Sequence, residues 1–270
     1  MPPTRTPTVT LITDFGMRDH YVASMKGVIM SISPQVQIVD ISHEVAPQDI
    51  VEAAFLLRSC FHYFPPRTVH VVVVDPTVGS SRKALMVASE NHYFVAPDNG
   101  VLSLIEEVEA ISTVVEINAE HYILSNPSST FHGRDIFAPA AAWLTKGTDI
   151  LNFGPEMDSF NKLPLPKPKM VGDTMLKGMV IHVDRFGNLI TNISKEEFDT
   201  VRARVPGDSS RVVLGKQEIA GLKQFYSEGQ KGELIALFGS TGLLEVSQCQ
   251  GSAARALALS RGAEAAVLFK

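Results

Sequence analysis

The sequence predicts two domains: an N-terminal α/β domain built on a mixed, mainly parallel sheet, and a smaller all-β, barrel-like C-terminal domain. Strand-like apolar runs alternate with helix-like segments over residues 1–161, as in sheets with crossover helices. Residues 162–170 are rich in proline and would form a stiff, extended linker. Beyond them, over residues 171–270, short apolar runs separated by tight turns predict a small β domain.

In the first domain, apolar runs place the strands and capping aspartates place the helices. The run at 69–74 is apolar without alternation, which is typical of a central strand covered on both faces. The predicted strands are 8–13, 36–41, 69–74, 84–88, 93–96 and 113–117. The predicted helices are 19–31 capped by Asp19, 49–61 capped by Asp49, 101–109, and 135–146 capped by Asp135.

The second domain has apolar runs of four to eight residues with little helical periodicity. One short helix is expected near 195–199. The predicted strands are 176–183, 189–193, 211–214, 234–238, 243–246 and 265–269.

Composition limits the class of protein. The chain has 270 residues, 45% of them hydrophobic and 20% charged, and its net charge of −5 argues against a nucleic-acid partner. Cys60 and Cys249 stand alone, outside any zinc or disulfide pattern, which favours a reducing cytoplasm. Residues 1–8 contain no apolar stretch, so we expect no signal peptide, and no run approaches the ~20 apolar residues of a membrane span.

Four apolar runs end in an aspartate within a glycine-marked turn. These aspartates are Asp14, Asp75, Asp98 and Asp184. In an open α/β sheet, ligands bind at the carboxyl ends of the strands. Several carboxylates at such an edge would repel one another unless they share hydroxyl groups, a cation or an arginine. The pattern therefore predicts a polar site for a small-molecule substrate.

Two segments of the first domain carry candidate catalytic groups. Asp75 and Arg82 flank a single turn, so their charges could meet; alternatively, the aspartate caps the turn and the arginine lies at the surface. His132 precedes Gly133 at the start of a predicted helix, which suits either an exposed functional imidazole or a structural histidine. The residues alone leave these alternatives open.

Candidate binding groups lie in both domains. Asp184 and Asn188 border a tight turn that suits an ammonium group or a purine edge, or that simply forms a β-hairpin. Asp14 could accept hydrogen bonds from a ribose diol, or chelate a metal together with Asp19, although no His-x-His or Asp-x-Asp pair supports a closed metal shell. Ser240 opens a Ser-Thr-Gly turn that could bind a carboxylate.

Taken in order, from the Leu-Ile-Thr-Asp-Phe-Gly segment at 11–16 to the segment at 240–246, these motifs resemble the S-adenosyl-L-methionine (SAM) hydroxide adenosyltransferases, relatives of fluorinase and chlorinase. The resemblance implies the two-domain fold expected above and a homotrimer with sites between subunits. It also implies SAM as the substrate, no cofactor and no metal. The expected reaction is hydrolysis of SAM to adenosine and L-methionine.

The same resemblance assigns a catalytic role to Asp75, Arg82 and His132, grouped around a water molecule. The halogenating relatives carry Tyr and Thr where this chain has Asp75 and Val78, and a serine where it has Gly133. A halide site is therefore not expected.

The resemblance also implies the substrate contacts. Asp14 would hold the ribose hydroxyls, and Asp184 with Asp19 the methionine ammonium. The remaining contacts would be Ser240 with the methionine carboxylate, Asn188 with the adenine edge and Phe225 stacked on the adenine ring. Two residues depart from the family pattern: Thr77 replaces a usual glycine, and Thr241 stands where the halogenases have an arginine.

The chemistry suits these residues. Water or hydroxide would attack ribose C5′ and displace methionine as a neutral thioether, so no general acid is needed. Arg82 could stabilise the developing hydroxide, and the sequence leaves open which of the three residues takes the proton. Two other hypotheses remain: a metal-dependent nucleotide or nucleoside hydrolase using Asp14, Asp19 and Asp98, and a protein that binds adenosyl ligands without turning them over.

Overall fold

The computed structural model of the chain describes residues 6–205 and 209–270. The chain forms two compact units, Met1–Leu163 and Pro164–Lys270, whose boundary lies in the proline-rich segment. The signal-peptide expectation concerns residues 1–8, of which 1–5 lie outside the described part. No helix among the described residues has the length and apolar character needed to cross a bilayer.

The first unit contains a six-stranded sheet, which confirms the predicted mixed, mainly parallel arrangement. Its spatial order is β2-β1-β3-β5-β4-β6. The pairs β1–β2, β1–β3 and β3–β5 are parallel, whereas β4 is antiparallel to both β5 and β6. The strands are β1 (Thr8–Thr13), β2 (Gln37–Ser42), β3 (Val69–Val73), β4 (Ala84–Ser89), β5 (Tyr93–Pro97) and β6 (Ile111–Glu116).

Helices cover both faces of this sheet. They are α1 (Tyr21–Ile32), α2 (Ile50–Cys60) and α3 (Ala138–Thr145). α1 and α3 belong to one apolar cluster with Val71, and α2 belongs to the opposite cluster with Val72. β3 is buried along its whole length, as its unbroken apolar run predicts.

The predicted helix starts agree with the structure at one position and differ at others. Asp49 caps α2 as expected, with its carboxylate accepting from the Glu52 N–H at 3.0 Å. Asp19 does not cap α1: the helix begins at Tyr21 after His20, whose side chain makes no capping hydrogen bond. His20 already has helical backbone angles, so Asp19 lies in the exposed turn before the helix.

The helix predicted at 101–109 is wrong. Residues 101–109 form turns with one short 3-10 turn at Ile105–Glu107. Both the N–H and the hydroxyl of Ser103 donate to the Gly100 carbonyl, closing a tight turn instead of a helical one. Gly100 has φ +93°, which suits that turn.

The second unit is an antiparallel, nearly closed, barrel-like sheet, which confirms the all-β prediction. Its eight described strands have the order β11-β10-β14-β8-β9-β13-β12, with β7 paired to β8. They are β7 (Lys169–Val171), β8 (Met175–Val183), β9 (Leu189–Ser194), β10 (Ser210–Leu214), β11 (Gln217–Ala220), β12 (Leu234–Phe238), β13 (Leu243–Gln248) and β14 (Glu264–Phe269). The sequence patterns did not indicate β7 or β11.

Two short helices accompany this sheet, α4 (Lys195–Arg202) and α5 (Ala253–Leu257). α4 extends beyond the predicted 195–199. Its start is fixed by a capping box in which the Ser194 hydroxyl accepts from the Glu197 N–H and the Glu197 carboxylate accepts from the Ser194 N–H. The sequence patterns did not indicate α5.

Candidate active site

The turn between β3 and β4 brings Asp75 and Arg82 into contact. Arg82 Nε lies 2.9 Å from Asp75 Oδ2 and 3.1 Å from Oδ1, and Arg82 Nη2 lies 2.5 Å from Oδ2. The two side chains are 7% and 5% exposed. This is an almost fully buried, multiply hydrogen-bonded pair, unlike the surface arginine of the alternative interpretation.

His132 joins this pair from a distant part of the chain. Arg82 Nη2 lies 2.6 Å from His132 Nδ1. A guanidinium has no acceptor, so it must donate here and Nδ1 must accept. In the neutral imidazole the remaining proton then resides on Nε2. The predicted residues Asp75, Arg82 and His132 thus form one hydrogen-bonded chain.

The electrostatic surroundings keep His132 neutral. Burial of the ring, followed by the neighbouring Arg82 guanidinium, lowers the pKa of His132 from its ordinary value of 6.5, although Asp75 and Asp135 oppose this. A second proton on the imidazole would lie on Nδ1, where the new N–H would face the N–H groups of the positively charged Arg82. At neutral pH, His132 therefore offers an acceptor to Arg82 and a donor at Nε2.

A π-helical turn at Gly133–Phe137 carries His132 toward the arginine. Such turns are rare and occur often at functional sites. The Phe137 ring lies 5.2 Å from Arg82 Cζ and gives the guanidinium a cation–π contact. An added Cβ at Gly133 would lie 3.2 Å from the Phe131 ring and 3.3 Å from Met25 Sδ, so a larger residue would be crowded there.

Asp135 has a role other than the one predicted from the sequence. It does not cap a helix, since it lies inside the π-helical turn and is buried. Its carboxylate accepts from Arg134 Nε at 2.6 Å and from the Ser128 N–H at 2.8 Å. It therefore ties the turn to the segment before His132.

Gly79 allows the two catalytic segments to approach each other. Its φ is +80°, and a Cβ there would lie 2.2 Å from the Ser129 carbonyl oxygen. Real Cβ atoms do not approach a backbone atom so closely. The 75–82 turn can therefore pack against the segment leading to His132 because residue 79 has no side chain.

Asp14 lies half-buried in the turn after β1, and its Oδ2 accepts from the Gln48 N–H at 2.8 Å. Asp19 is exposed in the following loop. Asp98 is buried, with Oδ1 accepting from the Asn161 N–H at 2.7 Å, so it supports the local fold. Among the described residues, no group of three or more His, Cys, Asp or Glu side chains is arranged to hold a metal ion.

In the second unit, Asp184 and Asn188 bind each other. Asp184 Oδ1 accepts from the N–H groups of Phe186 and Asn188, both at 2.9 Å, and Oδ2 accepts from Asn188 Nδ2 at 2.8 Å. Gly187 has φ +85°, as expected for this hairpin. The carboxylate and the amide nitrogen are therefore used, at least in part, to build the β8–β9 turn.

The other two predicted binding residues of this unit are accessible. Ser240 is exposed in the turn between β12 and β13, and the Phe225 side chain is 53% exposed. Neither has a role in the apolar core, which suits residues that contact a ligand.

A hydrogen bond between an exposed tyrosine and a buried glutamate in this unit was not anticipated. Tyr226 Oη donates to Glu245 Oε1 at 2.5 Å, and Glu245 is 4% exposed. Burial, reinforced by Asp184, raises the pKa of Glu245. The available sequence signal was a glutamate in the middle of the apolar run at 243–246.

Known proteins share this architecture over nearly the whole chain. The N-terminal domain profile of the SAM hydroxide adenosyltransferases matches residues 9–154, and their C-terminal domain profile matches residues 178–266. An (R)-S-adenosyl-L-methionine hydrolase from Methanocaldococcus jannaschii is 37% identical over 261 residues, covering 92% of this chain and 91% of the relative.

One solved structure and one more distant relative extend the comparison. A crystal structure of a Thermotoga maritima protein superposes with a TM-score of 0.89 at 38% identity, covering 97% of this chain and 99% of that one. A fluorinase from Actinoplanes is 25% identical over 276 residues, covering 92% of this chain and 93% of the relative. By both its domain profiles and its near full-length relatives, the chain belongs to the SAM hydroxide adenosyltransferase family.

Proposed function

We propose that this protein hydrolyses S-adenosyl-L-methionine to adenosine and L-methionine. The observation that carries the proposal is the hydrogen-bonded chain from the buried pair Asp75–Arg82 to the partly buried His132. It offers fixed hydrogen-bond donors to a nucleophilic oxygen. The proposal is also supported by the name of the Methanocaldococcus relative, an (R)-S-adenosyl-L-methionine hydrolase.

In the proposed reaction, the oxygen of water or hydroxide forms a bond to ribose C5′ while the bond from C5′ to sulfur breaks. The electron pair of that bond goes to the sulfonium, which leaves as the neutral thioether of methionine. The proton of an attacking water passes to solvent. Since the leaving group needs no proton, the protein has only to position and stabilise the oxygen nucleophile.

The hydrogen-bond directions favour distinct roles for the three residues. Both carboxylate oxygens of Asp75 accept from Arg82, so Asp75 holds the guanidinium in place. His132 Nδ1 accepts from Arg82, so the ring can donate only through Nε2. In this arrangement Arg82 stabilises negative charge on the oxygen and His132 orients it. Neither His132 nor Asp75 is free to take the proton.

The proposed substrate contacts follow the family resemblance. Asp14 accepts the ribose hydroxyls, and Asp184 with Asp19 attracts the ammonium group. Ser240 binds the methionine carboxylate, Asn188 contacts the adenine edge and Phe225 stacks on the ring. The exposure of Phe225 and Ser240 supports their part of this assignment.

We further propose that the reaction needs no metal or other cofactor, that the enzyme is a homotrimer with sites between subunits, and that it works in the cytoplasm. The neutral thioether leaving group, which departs without a proton or a Lewis acid, supports the first point. The exposed aromatic rings of Phe186 and Phe225 support an assembly that covers them. The free thiols of Cys60 and Cys249 support a reducing compartment.

The test is chromatography of the protein incubated with SAM in the presence of EDTA. We expect adenosine and methionine in equal amounts, and a loss of roughly 10²- to 10³-fold in turnover for Asp75→Ala and for His132→Ala, the scale for losing one preorganised hydrogen-bonding group. Asp158→Ala, at an exposed position in the same unit, is the matched control and should retain activity. Wild-type rates in both site variants would contradict the assignment of Asp75 and His132 to the catalytic site.

Two other outcomes would point elsewhere. Activity abolished by EDTA and restored by Mg²⁺ or Ca²⁺ would indicate the metal-dependent hydrolase. Saturable binding of SAM without any product would indicate an adenosyl-binding protein. Repeating the assay with each sulfonium epimer separately would show whether this chain shares the (R) preference in its relative's name.

A further inference from the structure

The turn that carries Asp14 is held by a buried histidine from the loop after β2. His43 is 4% exposed, and its carbonyl oxygen accepts from the Gly16 N–H at 2.8 Å. Its ring nitrogen Nδ1 lies 2.8 Å from Thr13 Oγ1. A single residue therefore contacts the chain on both sides of Asp14.

The direction of these hydrogen bonds can be assigned. The Asp40 carboxylate beside Nε2 can only accept and favours the ring proton at that nitrogen, so Nδ1 accepts from the Thr13 hydroxyl, while the Phe15 N–H donates to Thr13 Oγ1 at 3.3 Å. In the neutral ring the proton of His43 is then on Nε2, which lies 3.1 Å from Asp40 Oδ1. This contact is close but not aligned as a hydrogen bond, and Nε2 has no other partner among the described residues. Lys26 Nζ lies 2.6 Å from Asp40 Oδ2 and completes the chain of contacts.

The Asp14 carboxylate is held on one side and open on the other. Its Oδ2 accepts from the Gln48 N–H at 2.8 Å, and Gln48 has a φ of +65°, an uncommon backbone conformation for a residue with a side chain. Within the described chain, Oδ1 makes no hydrogen bond. Both anchors of this turn thus come from residues 40–48, and one carboxylate oxygen is left for a ligand.

We propose that His43 is a positioning residue for substrate binding. Acting through Thr13, it fixes the Asp14 turn so that Oδ1 can accept from a vicinal diol. This inference rests on the proposed function, in which Asp14 holds the ribose hydroxyls. Those hydroxyls do not react. Displacing Asp14 therefore weakens binding of the substrate by the same amount in the ground state and in the transition state, which raises KM with little change in kcat.

The test removes the Thr13 hydroxyl without changing its shape. We expect Thr13→Val to raise KM for SAM about tenfold at nearly constant kcat, since a buried donor and acceptor lose their partner. Thr13→Ser keeps the hydroxyl and should stay near the wild-type KM. Thr10→Val is the matched control, because Thr10 is equally buried on β1 and its Oγ1 lies 2.7 Å from His70 Nδ1, on the other face of the sheet.

An unchanged KM in Thr13→Val, or the same rise in Thr10→Val, would overturn the inference. If Thr13→Val does not fold, His43→Phe replaces it: the ring keeps most of its volume but has no nitrogen for the Thr13 hydroxyl, so a raised KM is again expected, whereas an unchanged KM overturns the inference.

Calorimetry with adenosine separates this inference from the proposed hydrolysis. A wild-type protein that binds adenosine but releases none from SAM would contradict the hydrolysis, and about tenfold weaker adenosine binding by Thr13→Val would still support the role of His43. Wild-type protein that releases adenosine from SAM, together with an unchanged KM in Thr13→Val, would support the hydrolysis and overturn the role of His43.

Discussion

His132 shows how a single hydrogen bond can restrict the chemistry of a catalytic side chain. Its Nδ1 lies 2.6 Å from Arg82 Nη2, and that nitrogen can only donate. The imidazole is therefore held as the tautomer protonated at Nε2. This tautomer can hydrogen-bond to an attacking oxygen, but it has no free lone pair with which to remove a proton.

This arrangement predicts the acid side of the pH–rate profile. Because burial and Arg82 lower the pKa of His132 from 6.5, the ring stays neutral below pH 6.5 and the activity it supports should fall only at still lower pH. Protonation would then remove the Nδ1 acceptor and repel Arg82. The measurement is kcat/KM against pH for wild type and for His132→Asn, whose amide oxygen can still accept from Arg82.

We expect His132→Asn to have a lower kcat/KM than wild type and to lack the fall in kcat/KM at low pH. His62→Asn, at an exposed histidine, should keep the wild-type profile. A wild-type midpoint at or above pH 6.5, or an unchanged limb in His132→Asn, would contradict the assigned role.

At the scale of secondary-structure elements, the site depends on the close packing of two connections. The turn between β3 and β4 carries Asp75 and Arg82, and the segment before α3 carries His132. Gly79 lies where they meet, facing the Ser129 carbonyl oxygen. The distance between Arg82 and His132 therefore depends on backbone contact as well as on the side chains themselves.

Replacing Gly79 tests this dependence. Gly79→Ala should lower turnover about tenfold or more, because both its φ of +80° and the 2.2 Å approach to Ser129 resist a Cβ. Gly147→Ala is the control: Gly147 has φ +90°, but a Cβ there would meet no atom within 4 Å. It should cost about 1 kcal/mol of stability and leave turnover unchanged. Equal turnover in the two variants would show that the packing at Gly79 is not needed.

The elements also show what local sequence can and cannot predict. The strands that we predicted from apolar runs, such as 69–74 and 234–238, are present because burial alone determines them. Helix starts are less predictable, since a cap needs both an acceptor and the right backbone angles: Asp49 has both, whereas Asp19 lies one residue too early. The weak runs of β7 and β11 gave no signal.

The candidate site also combines features that local sequence predicts with features that depend on the tertiary fold. The turn from 75 to 82 could be predicted to bring its two charges together, because both belong to one short segment. The contact of Arg82 with His132 joins residues fifty positions apart, and it depends on the sheet order and on a π-helical turn that no local pattern indicates. The support of the Asp14 turn by His43 was missed for the same reason. The assigned substrate contacts stay predictions.

For the whole molecule, a buried histidine should limit stability in acid. His70 is fully buried in β3, and burial, aided by His92, lowers its pKa from 6.5 to about 3. Below pH 6.5 the unfolded chain binds a proton at His70, whereas the folded protein does not. The contribution of neutral His70 to the free energy of unfolding is therefore present above pH 6.5 and is lost progressively as the pH decreases toward 3. Between about pH 6.5 and 5 we expect a loss of roughly 1–2 kcal/mol from this residue.

Urea unfolding at several pH values measures this loss. His70→Asn can still accept from Thr10 and should flatten the pH dependence, whereas His62→Asn should leave it unchanged. Glu109 adds a separate effect at lower pH. Burial acts to raise its pKa, but hydrogen bonds from Ser89, Asn91 and His92 lower it from 4.5 to about 2. The stabilisation of the fold by the Glu109 carboxylate is therefore lost as the pH falls below 4.5. A slope that is unchanged in His70→Asn between pH 6.5 and 4.5 would refute the assignment to His70.

The whole molecule also favours a cationic substrate. Its net charge is −5, and the proposed substrate carries a positive sulfonium that becomes neutral as methionine leaves. The negative electrostatic field of the protein attracts the cationic substrate more strongly than the neutral nucleoside product. This is consistent with a hydrolase that must release adenosine.

The most direct test of the central claim is to run the reaction in ¹⁸O-labelled water with EDTA present and to analyse the nucleoside by mass spectrometry. Attack of water or hydroxide on C5′ predicts adenosine that carries the label on its 5′ oxygen, together with unlabelled methionine, and Asp75→Ala should suppress both products. Unlabelled adenosine, adenine in its place, or full activity in Asp75→Ala would contradict the account.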